Sequence, residues 1–316
     1  IHKQLTERDN LNLKNIKYGS IINVNKKIFN VTIRISEWFQ KGTNRFITAG
    51  SITNMGIIYS TDAVNAKDVI KKTSEALKIL KAVGYNDSNL DEVSENLVKR
   101  ALHYIYYYCL KDGKINPNVP SNNDFPHASW WEYDENFFDT WRYNPTAYIV
   151  ALTLHFTKEN DKYYKKAYPL VPVIIESFNS DPKELVDKHY VNNMMELYDV
   201  LTTKNIYPEL HKVLKDGINK RIEDLMDKDE EKWKGYSNTP LELLQLKEFV
   251  DTDERKELVE KNLDFVMDSR NSNGLFDVNW SWNNDYEEIE LQRVKWVGLL
   301  LVNNLITFKK FDRIEK

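Results

Sequence analysis

The sequence predicts an all-α protein built of antiparallel helix pairs stacked side by side, as in a solenoid or an α/α toroid. Three observations carry that expectation. Apolar residues recur at the helical spacing in one segment after another, at intervals of about 20 residues. The connections alternate between very short and long, as they must when a chain turns back at one end of a pair and crosses to the next pair at the other. Finally, 10 glycines and 9 prolines in 316 residues are few breakers for a chain of this length.

Residues 1–59 read as an arm packing on a single domain that spans 60–316. Up to about residue 30 no period is sustained, and the reading is an irregular stretch with a short strand or helix near Ile21; from Phe29 to Phe39, Phe29, Val31, Ile33, Ile35 and Trp38 mix the two periods. Thr61 or Asp62 then caps the first clear helix, which runs to Leu80 and closes at Gly84. Leu90 to Leu110 is the next, with Leu97, Ala101, Leu102, Ile105 and Tyr108 on one stripe and a stop at Lys111-Asp-Gly113. Asn144-Pro145 starts a helix to about Phe156. Asp161 to Phe178 carries Pro169 and Pro172, where a kink or break is expected. Asp181-Pro182 opens a helix through Leu201, Pro208 one to about Met226, and Thr239-Pro240 one to Val250. Thr252 or Asp253 caps a helix to about Met267, and Tyr286 to Phe308 is the last.

Composition removes several function classes. The formal net charge is -4, with 44 basic and 48 acidic residues interspersed, so no basic face exists for a phosphate backbone and nucleic acid is not an expected partner. No apolar run reaches the length of a membrane span, and a soluble protein is expected. Cys109 is the single cysteine, which excludes internal disulfides and thiolate-rich metal sites and fits a reducing, cytoplasmic compartment. Ile1 in place of methionine leaves processing and secretion open. A Gly-rich phosphate loop, a nucleophile elbow and a His-Glu-x-x-His string are all lacking, which disfavours nucleotide hydrolysis, α/β-hydrolase chemistry and zincin proteolysis.

The chemistry concentrates in Phe125 to Pro145, FPHASWWEYDENFFDTWRYNP, where eight aromatics, four carboxylates, a histidine and an arginine share a segment with neither period. Tryptophans in such a segment imply a loop packed into something concave, so Trp130, Trp131, Trp141, Arg142 and Tyr143 are read as ligand-binding. Asp134, Glu135 and Asp139 are the candidate acids, and His127 is the candidate general base. Trp280-Ser-Trp282 with Asp285 forms a second aromatic and acidic patch after a glycine turn. The competing structural reading has the tryptophans plugging one end of the fold and the carboxylates solvated or paired with Arg142. Two internal echoes accompany these patches. Trp141-Arg-Tyr-Asn-Pro-Thr parallels Trp233-Lys-Gly-Tyr-Ser-Asn-Thr-Pro, and Asp112-Gly113-Lys-Ile parallels Asn273-Gly274-Leu-Phe.

That recurrence, a glycine turn after a helix, then tryptophan, then the helix of the next pair, resembles the terpenoid cyclase and protein prenyltransferase superfamily of α/α toroids, from about residue 60 to the end. His127-Ala-Ser-Trp-Trp131, Met195-Glu-Leu197 and Val294-Lys-Trp-Val297 add a similarity to bacterial toroid-like proteins. The resemblance implies a central cavity lined by aromatics, an isoprenoid-like small-molecule ligand and an enzyme, or enzyme relative, of the cyclase kind. The family's Asp-x-Asp-Asp acid motif is not matched: Asp251-Thr-Asp-Glu254 sits where a helix cap belongs. Its zinc set is not matched at Cys109 either. No cofactor is evident, and magnesium enters only if Asp134, Glu135 and Asp139 hold a diphosphate. Because α/α barrels also host glycosidases and lyases, a carbohydrate-active protein is the alternative; a non-catalytic binding or scaffold protein of the same shape is the third reading.

Overall fold

The structure is a computed structural model that describes residues 17–18, 22–24, 27–29, 32–39, 46–53, 57–59, 77–78, 80–82, 84–116, 132–280 and 288–315. Most of what it describes is helical, as expected. Before residue 60 the described residues form strands, where an irregular arm was expected. Strands β1 (Lys17–Tyr18), β4 (Thr32–Phe39), β5 (Phe46–Thr53) and β6 (Ile57–Tyr59) form an antiparallel sheet in the order β1-β4-β5-β6. A second sheet joins β2 (Ile22–Val24) to β3 (Lys27–Phe29) on one side and to β9 (Ile314–Glu315) on the other, so both ends of the chain share a ladder. Phe29 to Phe39 mixes periods because it spans two strands of different sheets: Phe29 pairs with Ile22 in β2, whereas Thr32 pairs with Thr53 in β5.

After helical residues at 77–78 and 80–82 and a turn at Gly84 (φ +96°), the helices among the described residues are α1 (Glu92–Tyr104), α2 (Phe137–Trp141), α3 (Thr146–Phe156), α4 (Lys162–Ala167), α5 (Leu170–Ser180), α6 (Lys188–Lys204), α7 (Pro208–Leu225), α8 (Pro240–Leu243), α9 (Asp253–Asp268) and α10 (Glu288–Lys310). Side-chain caps start five of them: Asp91 accepts from Ser94 N, Asp161 from Tyr163 N, Asp187 from Tyr190 N, Thr239 from Glu242 N and Thr252 from Arg255 N. Thr252 thus confirms the capping reading of the Asp251–Glu254 string. Pro208 stands at the first position of α7. The expected break falls between α4 and α5, at Tyr168-Pro169, and Pro172 is tolerated in the first turn of α5. Among the described starts one differs: Asp181-Pro182 leads only into a 3₁₀ turn at Lys183–Leu185, and α6 begins six residues later behind Asp187; the starts expected at Thr61 or Asp62 and at Tyr286 lie outside the described residues. Past Tyr104, α1 widens into a π-helix over Ile105–Cys109, which buries Cys109 and pushes its thiol up to about 12 by desolvation.

Two rows of helices emerge. In one row α3 packs on α6 and α6 on α8; in the other α5 packs on α7, and α7 and α9 cover α6 and α8. Burial follows the rows. Nearly every residue of α3 is buried, whereas α7 buries Leu214, Ile218, Arg221 and Ile222 on one face only. Met194 and Met195 of α6 are core residues, 0% and 1% exposed. The helix ends are completed by cations from the following pair. Arg221 of α7 donates to the Asp181 and Phe178 carbonyls at 2.6 and 3.4 Å, ending α5; Lys204 of α6 donates to the Leu154 and Thr157 carbonyls at 2.7 and 3.3 Å, ending α3.

Along α6, His189, Asn192, Asn193, Glu196 and Asp199 make a polar stripe at three- and four-residue spacing between its buried faces. Near the C-terminal end of that stripe Lys81 bridges Glu196 and Asp199. His155 of α3 lies close by, its Nε2 2.8 Å from the Tyr85 carbonyl, and desolvation first, then Lys81 and Lys204, lowers its pKa from 6.5. A lowered folded value means that the unfolded chain binds the extra proton. Stability from His155 is therefore complete above the free value of 6.5 and is lost as pH falls through the lower folded value. Urea midpoints of the native protein should drop between about pH 7.5 and about pH 5 by more than those of His155→Gln. Equal slopes for the two would show that His155 contributes nothing to this dependence.

Candidate functional site

At the other end of the rows the N termini of α3, α6 and α8 lie in sequence, tied to one another by side chains. Asn193, in the second turn of α6, donates its Nδ2 to Asn144 Oδ1 at 2.7 Å, just before α3. Lys188, at the first position of α6, reaches Glu242 Oε2 of α8 at 3.0 Å and the Ser237 carbonyl at 2.7 Å. Trp280, in the segment leading to α10, meets Tyr236 edge-on at 6.5 Å and Trp296 of α10 at 5.1 Å, and Asn279 donates to the Gly235 carbonyl at 2.8 Å. The described parts of the connections before α3, α8 and α10 meet at this end. Two connections share a device. The hairpin of β7 (Leu110–Lys111) and β8 (Lys114–Ile115) turns at Gly113 (φ +76°), and Asn271 pairs with Leu275 around Gly274 (φ +75°). Each glycine adopts the left-handed backbone that side chains disfavour, and each is followed two residues later by a buried apolar residue, Ile115 or Phe276. The sequence echo is therefore a structural one.

Of the predicted ligand-binding residues, Arg142 and Tyr143 sit in a polar corner. Arg142 ends α2 with φ 52° and ψ -117°, a conformation rarely adopted by a residue with a side chain. Its Nε stands 3.1 Å from Oδ1 of the buried Asp181, whose Oδ2 accepts from Ser177 Oγ at 3.1 Å. Desolvation and then Asp181 raise the phenols of Tyr143 and Tyr190 beside it. Lys114 lies 5.2 Å from the centre of the Tyr143 ring. Arg142 is thereby engaged with Asp181. Asp134, Glu135 and Asp139 are exposed; Asp134 Oδ1 accepts from Asn136 N at 2.8 Å, a local turn contact. Trp141 is half-buried and stacks on Phe137 at 5.7 Å. His127, Trp130, Trp131, Trp282 and Asp285 lie outside the described residues.

No family model, curated protein or solved structure matches the chain.

A cleft of about 420 Å³ opens beside α6, lined among others by Lys183, Lys188, His189, Leu225, Tyr236 and Asn238. Lys188 is 4% exposed, and its ammonium stands 3.6 Å from the centre of the Tyr236 ring, a cation-π contact backed by the hydrogen bonds to Ser237 and Glu242. Tyr236 itself is 59% exposed, and His189 Nε2 is 2.7 Å from its hydroxyl. Desolvation, followed by Glu242 and Asp187, pushes that phenol up to about 12. The cleft thus presents an open aromatic ring fixed from behind by a buried cation, with proton-carrying groups at its edge. Among the described residues no cluster of three or more His, Cys, Asp or Glu side chains has the arrangement of a metal site, and no helix is long and apolar enough to cross a membrane.

Sequence reasoning passed over Lys188, His189 and Tyr236. A signal for Tyr236 was present in the echo that aligns Trp141-Arg-Tyr143 with Trp233-Lys-Gly-Tyr236, since Tyr143 was already singled out. Lys188 and His189 carried none, because the Asp181-Pro182 start placed them inside a helix.

Proposed function

We propose that the chain is an α/α toroid protein that binds a polyhydroxylated, sugar-like ligand at the end where the N termini of α3, α6 and α8 gather. The two rows of helices, joined by alternately short and long connections, support the toroid. Lys81 and Lys310, on the first helical stretch and on α10, both lie within electrostatic reach of Glu196 and Asp199 of α6, as helices around one axis would bring them. The observation that carries the ligand class is the cleft. An isoprenoid needs a deep, apolar, nearly enclosed cavity. The space beside Tyr236 is open and edged by lysine, histidine and asparagine, groups that hydrogen-bond hydroxyls, next to an exposed ring on which the C–H face of a sugar can stack.

Thermal shift with two ligand panels tests the proposal: neutral and acidic oligosaccharides against prenyl diphosphates with and without magnesium. A ligand from the first panel at about 100 times its Kd should stabilise the protein by about 2.7 kcal/mol, and Tyr236→Ala should abolish the shift. Stabilisation by prenyl diphosphates alone would replace the reading with the isoprenoid one.

A further inference from the structure

Resting on the sugar-ligand reading, we infer that Tyr236 and His189 form a proton-transfer pair acting on a uronate-containing glycan, and that the reaction is elimination. The argument starts from what the cleft provides. Hydrolysis of a glycosidic bond uses two carboxyl groups, one acid and one base or nucleophile. Here Glu242 is held by Lys188 at 3.0 Å and closes the capping box of α8, and Asp187 caps α6 by accepting from Tyr190 N at 2.8 Å. Both are committed, and Glu184 alone cannot make the pair. At the open ring itself a phenol and an imidazole stand in contact at 2.7 Å.

Such a pair suits a reaction that needs one base, one acid and no nucleophile. Removal of the proton on the carbon next to a carboxylate, with loss of the oxygen on the following carbon, is that reaction. The phenol oxygen of Tyr236 takes the C–H proton while its own proton passes to His189 Nε2. The phenol then gives a proton to the departing glycosidic oxygen, and His189 restores it. One C–H and one C–O bond break, one C=C and one O–H bond form, nothing is oxidised or reduced, and no water is consumed. A phenol whose pKa stands at about 12 is a better match to a departing alkoxide than a carboxylic acid would be. The substrate carboxylate must be neutralised for the proton to leave. The cations of the cleft are Lys188 and Lys183, and the latter is held only by a 3.4 Å contact to Asp224 with its side chain 56% exposed, so it can turn to a ligand.

The test incubates the whole chain with polygalacturonate, alginate and hyaluronan, with neutral xylan as control, and follows the ultraviolet band of the conjugated unsaturated acid. Calorimetric binding is measured in parallel. The expected result is product from at least one polyuronate and none from xylan. Tyr236→Phe should lower the rate by about 100- to 10,000-fold while binding changes by less than about tenfold. His189→Gln gives a second variant should the first fail to fold, with the same loss expected and the acidic limb of the pH profile displaced, because His189 must be unprotonated to accept the phenol proton. Binding of neutral and acidic glycans without unsaturated product would overturn the inference and leave the sugar-ligand reading standing. Absence of glycan binding would remove both.

Discussion

Replacing Arg255 with alanine should destabilise the fold by about 3 kcal/mol, read as a fall in the urea midpoint at unchanged slope. Its guanidinium is 7% exposed and joins three segments: Nη1 donates to the Phe249 carbonyl at 2.9 Å, to Asn219 Oδ1 at 2.8 Å and to Asp251 Oδ1 at 3.1 Å, while Nε and Nη2 reach Glu223 Oε1 at 3.1 and 2.5 Å. The two carboxylates are about half exposed and regain water when the arginine goes, so they account for little of the loss. The bulk comes from Phe249 O and Asn219, which lose a donor in a buried setting. Arg255→Lys should recover less than half of the loss, because one ammonium cannot reproduce a five-donor fork. A midpoint within about 1 kcal/mol of the native protein would mean that water replaces the guanidinium.

Trp233→Ala should cost about 3–5 kcal/mol, against about 1–2 kcal/mol for Trp141→Ala. The two tryptophans are partners in the sequence echo, but their surroundings differ. Trp233 is 2% exposed, meets Phe265 edge-on at 5.7 Å and donates its Nε1 to the Asp227 carbonyl at 2.8 Å, which holds the connection before α8 against α9. Trp141 is only half-buried and stacks on Phe137 at 5.7 Å. Equal losses measured by thermal or urea unfolding would contradict this division between a tryptophan that is structural and one on a partly open face.

Helix starts were legible where a local signal had no competitor, although the helix behind Thr239 stops at Leu243 and not at Val250. Asp161, Thr239 and Thr252 cap because their side chains find an unpaired backbone N–H within three residues, and Pro208 starts α7 because the first turn needs no donor from it. Asp181-Pro182 carries the same local signal, yet Asp181 spends its carboxylate on Arg142 and Ser177, contacts made across the fold that no window of sequence contains. The strands at 17–59 were obscured for a related reason: β1, β2, β3 and β6 have only two or three residues each, and β2 finds a partner in β9 at the far end of the sequence. In the site, the density of Phe125–Pro145 was visible, but exposure was not. Density of functional residue types is a property of composition, whereas the Tyr236, Lys188 and His189 grouping depends on α6 and the connection before α8 meeting some 47 residues apart in the chain.

Arg221 and Lys204 finish helices to which they do not belong. The last carbonyls of α5 wait for a side chain 40 residues further on, and those of α3 for one 50 residues on. Neither helix is complete as an autonomous unit, and its final turn closes only when its successor docks. Neighbouring pairs are therefore coupled more tightly than apolar contact alone would couple them, because separating them strands backbone acceptors as well as exposing surface. A chain joined in this way should unfold as a block across the α3 to α7 region, with little tendency to peel away one pair at a time.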